Sequence, residues 1–173
     1  MCFTEINTMK KIFALAISLL FFIHGNCQRR CQLETLSKKS KDELMSFWDS
    51  FRESVVQKDT VTLLNLCDFP FRVSAEILSG KRNIGKNHYL DSANIMKYST
   101  LMFFEKQFKE SLLISINPIE NLRLHGDLNK KHRTCVYEYF YLIKDKNGED
   151  QMRSFSIVRI DSSYKIVSNW IRY

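Results

Sequence analysis

The chain is sparing with the residues that punctuate or staple a fold. Of 173 residues, two are proline and five are glycine, and no internal repeat or low-complexity stretch breaks the pattern. Cysteine is present without an order that would carry a scaffold. The five cysteines (Cys2, Cys27, Cys31, Cys67, Cys135) have no regular spacing, so a disulfide framework is excluded as the organising principle. There is no Cys-x-x-Cys and no His-x-x-x-His, and His88, His125 and His132 are scattered. The usual zinc patterns are therefore missing, and neither a metal nor a cofactor is expected.

Long hydrophobic runs are also few. The one that stands out, Ile12 to Ile23 (IFALAISLLFFI), falls well short of the roughly 20 residues that span a bilayer. Lys10-Lys11 precedes it, and Gly25 and Cys27 stand three and one before Gln28. Positive charge, a short apolar run and small residues are the parts of a secretory leader, so residues 1–27 are read as a signal peptide. Met9 is a candidate true start, because the preceding MCFTEINT carries Glu5 and no basic residue. Acylation of Cys27 is the competing reading. It is disfavoured because His24 and Asn26 occupy places where lipoprotein processing wants an aliphatic and a small residue. The mature chain is thus expected to be secreted or periplasmic, with no transmembrane segment after processing. Losing Lys10, Lys11 and Glu5 lowers the net charge of +7 only by one. About 146 residues then remain, one domain's worth. Cys31, Cys67 and Cys135 allow at most one internal bridge, with the pairing open and Cys67 suited to being a small buried hydrophobe.

What is abundant is amphipathic pattern. Residues 28–43 are polar, basic and aperiodic and read as a tether, with a helix cap near Ser40 or Asp42. From residue 44 to 173 a single domain follows. Leu44, Phe47, Trp48, Phe51 and Val55 share one helical face, with Asp49, Arg52 and Glu53 between them. Asp59 suits the start of a second helix through Val61, Leu63, Leu64 and Leu66, which Phe69-Pro70-Phe71 stops. Phe71 and Val73 suit a short strand, and residues 79–87 form a loop by composition. Helix resumes over Asp91 to Leu113, as one element or as two broken near Ser99-Thr100, and Asn117-Pro118 closes it. A short strand candidate covers Ile119 to Leu124. Arg133 to Lys144, Gln151 to Ile160 and Tyr164 to Tyr173 are strands joined by the hairpin signals Asn147-Gly148 and Asp161-Ser162-Ser163. Helices first and an antiparallel meander last define an α+β domain.

This element order, with the local sequence from Phe47 through Asp59 to Phe69-Pro70-Phe71, resembles the nuclear transport factor 2-like superfamily. The resemblance covers nearly all of 44–173 and implies N-terminal helices packed on a curved antiparallel sheet, a cone of the kind found in ketosteroid isomerase and polyketide cyclase-like enzymes. It carries no catalytic signature, and the superfamily hosts enzymes and binding scaffolds alike.

Candidate site residues follow from alternation. Tyr137, Tyr139 and Tyr141 share one face of their strand and Val136, Glu138, Phe140 and Leu142 the other. The helices offer an apolar wall, a demand tyrosine meets better than a carboxylate does. The tyrosines are expected inward, lining a ligand cavity with Trp48 and Phe104, while Glu138 faces out in a cross-strand pair with Arg153 or Arg159. An outward Val136, Phe140 and Leu142 would then need a cover, such as a homodimer through the sheet. The ordinary alternative is that the tyrosines merely pack. The basic groups 38–41, 81–86 and 130–133 accompany no recognition module, so nucleic acid is not an expected partner; anionic envelope lipids or glycans suit them better. The sequence thus predicts an exported, non-catalytic module binding a small apolar ligand or an envelope or protein partner. The alternative is an isomerase- or cyclase-type enzyme using the same cavity, which would need a carboxylate beside a tyrosine hydroxyl in an enclosed pocket.

Overall fold

The computed structural model describes residues 31–81, 83, 85–125, 129, 131, 134–145 and 147–173. The leader expected over 1–27, with Cys2 and Cys27, lies outside the described residues. The chain divides after Leu36. Of the first unit, only 31–36 is described; Leu33–Thr35 forms a single 3-10 turn. The elements described below belong to the second unit, Ser37–Tyr173.

Its first helix, α1 (Lys38–Gln57), starts earlier than expected because Ser37 caps it, the side-chain oxygen accepting from the Ser40 N–H. Lys58, in the left-handed conformation, ends it. The face from Leu44 through Phe47, Trp48 and Phe51 to Val55 is buried, as the spacing predicts. Asp59 caps α2 (Thr60–Leu66), accepting from the Val61 and Thr62 N–H groups. β1 (Cys67–Ser74) runs through Pro70, whose peptide bond to Phe69 is cis. Pairing slips between Cys67 and Arg72, where proline has no N–H to offer the ladder.

After α3 (Ala75–Ser79), Asn87–Leu90 forms β2, an edge strand that begins at the last residue of the expected loop and that the sequence did not predict. The expected long helix is two, α4 (Ser92–Met102) and α5 (Lys106–Ile114). The break lies at Phe103–Glu105, beyond Ser99-Thr100, because Glu105 accepts from the Phe108 N–H and so begins a new helix. Asn117 caps the short α6 (Pro118–Asn121), and β3 (Leu122–Leu124) follows. The meander β4 (Val136–Lys144), β5 (Asp150–Ile160) and β6 (Ser163–Arg172) completes the chain. Gly148 has φ +81°, a value its hairpin position requires and a Cβ would resist.

The strand order is β2-β1-β6-β5-β4-β3. All neighbours are antiparallel except β1 and β6, which run parallel and make the sheet mixed. This is an α+β domain with helices packed on one face of a six-stranded sheet, the arrangement the nuclear transport factor 2-like resemblance implies. Phe51, Phe103, Phe108 and Phe155 form a continuous ring cluster between the two layers, with centroids 5.0 to 6.2 Å apart. Side chains from α1 also hold α5: Trp48 Nε1 donates to the Ser115 carbonyl at 2.6 Å, and Arg52 Nε to that of Leu112 at 2.9 Å.

Candidate functional site

The tyrosines of β4 face the helices, as alternation and the apolar wall require. Tyr139 meets Trp48 edge-on at 5.1 Å, and Tyr141 stacks on Phe155 at 5.5 Å. Their hydroxyls are already answered. That of Tyr139 lies 2.5 Å from Ser111 Oγ and 2.9 Å from Ser115 Oγ, and that of Tyr141 shares a pair of contacts with the buried amide of Asn169. Burial pushes the Tyr141 hydroxyl up to about 12. Burial, with Tyr164 nearby, does the same for Tyr137, whose ring lies 6.4 Å from that of Tyr164. Trp48, Tyr139 and Tyr141 thus meet inside a region filled by side chains, Tyr137 stands at the Tyr164 end, and Phe104 lies apart from all of them.

Phe104 lines a cavity of about 1160 Å³ bordered by α3, the α4–α5 junction, the β4–β5 hairpin and the end of β6, with the carboxylates of Glu105, Asp145, Glu149 and Asp150 on its wall. Leu101, Ile77, Ile143 and Ile171 supply further apolar wall. A polar chain crosses it. The Tyr173 hydroxyl donates to Glu76 Oε2, Gln151 Nε2 donates to Glu76 Oε1 at 3.2 Å, and Arg153 Nε donates to Gln151 Oε1 at 2.9 Å. Arg153 Nη1 is held by the Leu101 carbonyl at 3.0 Å. No carboxylate pairs with Arg153 among the described residues. Arg153 stands opposite Tyr141 in the β4–β5 register and so points to the helix side. The sequence held part of the signal, since Arg153 alternates with Phe155 and Ile157 on the inward side of β5. Glu76, Gln151 and Tyr173 come from separate elements and left no comparable mark.

Glu138 lies on the opposite face, yet it is not exposed. Only 4% of it is accessible, and its partners are neither Arg153 nor Arg159. Arg172 Nη2 pairs with Oε1, His125 Nδ1 stands 3.5 Å away and Ser156 Oγ donates at 3.5 Å, while Arg159 is taken by Glu43 at 2.5 Å. The physical reason is the row between. Arg172 is on β6 and Glu138 on β4, and the intervening β5 presents Ser154 and Ser156, small enough for the arginine to lie across them. Arg172 Nε donates to Ser154 Oγ at 3.3 Å on the way. Val136 is buried, Phe140 is half-buried beneath Arg172, and Leu142 is exposed, so only part of the expected apolar strip is bare.

Cys31 and Cys135 are each disulfide-bonded, and Cys67 is a buried free thiol. Among the described residues no group of three or more His, Cys, Asp or Glu side chains is placed to hold a metal. Nor is any helix there long and apolar enough to cross a membrane.

No family model matches the chain, and no curated protein sequence does. Two solved structures overlap it in outline. One is a designed nuclear transport factor 2-like protein, "Rd1NTF2_05" with five substitutions, at 8% identity, covering 76% of this chain and 97% of its own, with a TM-score of 0.36. The other, from Xanthomonas campestris, is provisionally named a calcium/calmodulin dependent protein kinase II association domain. It is 14% identical and covers 75% of this chain and 84% of its own, with a TM-score of 0.37. At such scores the superpositions add nothing to what the strand order already says.

Proposed function

We propose that the chain is an exported, non-catalytic module that binds a small ligand with an apolar body and an anionic end in the cavity beside Phe104. The observation that carries this is Arg153, a half-buried guanidinium without a carboxylate ion pair among the described residues, on the wall of a cavity lined by apolar and by charged side chains. Pockets that take small molecules combine apolar walls with a few convergent polar groups, and a guanidinium edge suits a carboxylate or sulfonate. Glu76 supports binding over catalysis. Its Oε1 accepts from Gln151 and its Oε2 from the Asn83 N–H and the Tyr173 hydroxyl, so the carboxylate is engaged and is not a free base. The leader supports export.

Anilinonaphthalene sulfonate, an aromatic body with one anionic group, is a suitable probe. Its fluorescence is expected to rise on binding, and Arg153→Gln and Phe104→Ala should each weaken binding about tenfold. Binding indifferent to both substitutions would refute the site. For export, the intact mass of the secreted chain is expected to correspond to a start at Gln28; a lipid adduct on Cys27 would replace soluble secretion with anchoring.

A further inference from the structure

The open face of the sheet carries a second arrangement, centred on Arg72 and Trp170, which do not line the cavity beside Phe104, although Arg172 borders both. Glu138, Ser156, Ser168, Arg72 and Tyr89 stand side by side in one register row across β4, β5, β6, β1 and β2. Beside this row Trp170 Nε1 donates to Ser168 Oγ at 2.6 Å, and the Arg72 guanidinium lies over the Trp170 ring, 4.1 Å from its centroid. Together they border a concavity of about 560 Å³.

The charges in this concavity do not balance locally. Glu138 is matched by Arg172, and Asp68 by Lys131 at 2.7 Å. Arg72 has no carboxylate among the described residues. Its polar neighbour is Asn87, whose amide oxygen, turned toward it, accepts from Nη2 at 3.0 Å. A guanidinium held over an indole by its carbon keeps N–H groups for a carboxylate, which can meet them two at a time. The contact with Trp170 and the bond to Asn87 also restrain the guanidinium before any ligand arrives, so less side-chain freedom is lost on binding.

The surroundings indicate what presents the anion. Tyr89 is 64% exposed beside Arg72, and Leu142 (56%) and Met152 (44%) are exposed further along the same face. The cation therefore sits at the edge of a broad, half-apolar surface whose Trp, Tyr, Arg and Met content is that of protein interfaces. A free small anion would use Arg72 and leave the rest idle. A net charge of +7, or +6 once residues 1–27 are gone, favours encounter with an acidic partner. We infer that the open sheet face docks an acidic segment of a protein partner, one carboxylate held by Arg72 and a neighbouring apolar side chain lying against Tyr89.

The probe is a synthetic peptide of alternating glutamate and leucine, titrated into the full chain and followed by tryptophan fluorescence. Trp48 is enclosed in the core, so a change reports on Trp170. The glutamate peptide is expected to bind saturably, and its glutamine counterpart about tenfold more weakly or worse. Arg72→Gln should lose about tenfold or more, Arg72→Lys should recover only part of that loss, and Tyr89→Ala should lose several-fold. Arg72 and Tyr89 are exposed, so thermal melts matching the parent are the folding control. Phe104→Ala should leave peptide binding unchanged, which separates this site from the cavity beside Phe104. Three outcomes would each overturn the proposal: equal affinity for the two peptides, no effect of Arg72→Gln, or acetate binding as tightly as the peptide at equal carboxylate concentration. Sedimentation showing this face closed by a second copy of the chain would overturn it as well.

Discussion

On the helix side of β4, Tyr139 and Tyr141 are closed off by aromatic rings and their hydroxyls are answered by Ser111, Ser115 and Asn169. On the other side, one residue along, Glu138 is closed off by a single arginine reaching over two serines. Both side-chain groups are shielded from water, by means that differ in strength. The first buries apolar area from several elements at once. The second relies chiefly on the pair with Arg172, whose side chain is still 37% accessible, so solvent screens part of what it contributes. The helix-covered layer should therefore dominate stability, and the open face should be the one that is free to change partners.

The largest test of that contrast is in the ring cluster. Phe51→Ala or Trp48→Ala should cost about 3 to 5 kcal/mol, whereas Asp49→Ala, on the exposed face of the same helix, should cost under about 0.5 kcal/mol. Denaturant melts showing the three variants alike would remove the distinction. Glu138→Ala leaves Arg172 without its carboxylate and should cost about 1 to 3 kcal/mol, less than a fully buried pair because Arg172 can turn to water. A cost matching that of Phe51→Ala would mean that the two faces are equally structural. Tyr139→Phe should cost about 1 kcal/mol, the worth of a hydroxyl bonded to two serines.

Alkali should discriminate next. Tyr137 and Tyr141 ionise near 12 when folded and near 10 when unfolded. Their neutral forms are favoured in the folded state, so this stabilisation is complete below pH 10 and is lost as pH rises through 12. Tyrosinate absorbance should therefore show a fraction of the tyrosines titrating only as the fold is lost. The smallest effect is expected at Asp59, held below its ordinary value of 3.8 by the Thr62 hydroxyl and then the Thr62 N–H. Its contribution is present above that ordinary value and fades as pH falls through the lower folded value. Asp59→Ala should remove this slope at the acid end of a stability–pH profile.

Much of this was legible in residue order. The α1 face could be read because Leu44 to Val55 repeat with the helical period, and the inward tyrosines because β4 strictly alternates. β2 was not legible, since Asn87, His88 and Tyr89 form an exposed edge and carry no apolar alternation. The parallel pairing of β1 with β6 joins residues about a hundred positions apart, and no local pattern encodes it. Glu138 was placed on the correct face with the wrong partner for a similar reason. Nearest-strand reasoning considers Arg153 and Arg159, but the arginine that reaches it is two strands away, across residues notable only for being small. Phe104 was legible as an aromatic on a helix, whereas the cavity it lines depends on a helix break set by Glu105.

Cys67 gives the molecule a clock. Burial raises its thiol to about 12, so at neutral pH the native form offers almost no thiolate to an alkylating reagent. Since Cys67 opens β1 opposite Ile166 of β6, it reacts only when that parallel seam parts. The rate of its modification then measures how often that parallel pairing comes undone.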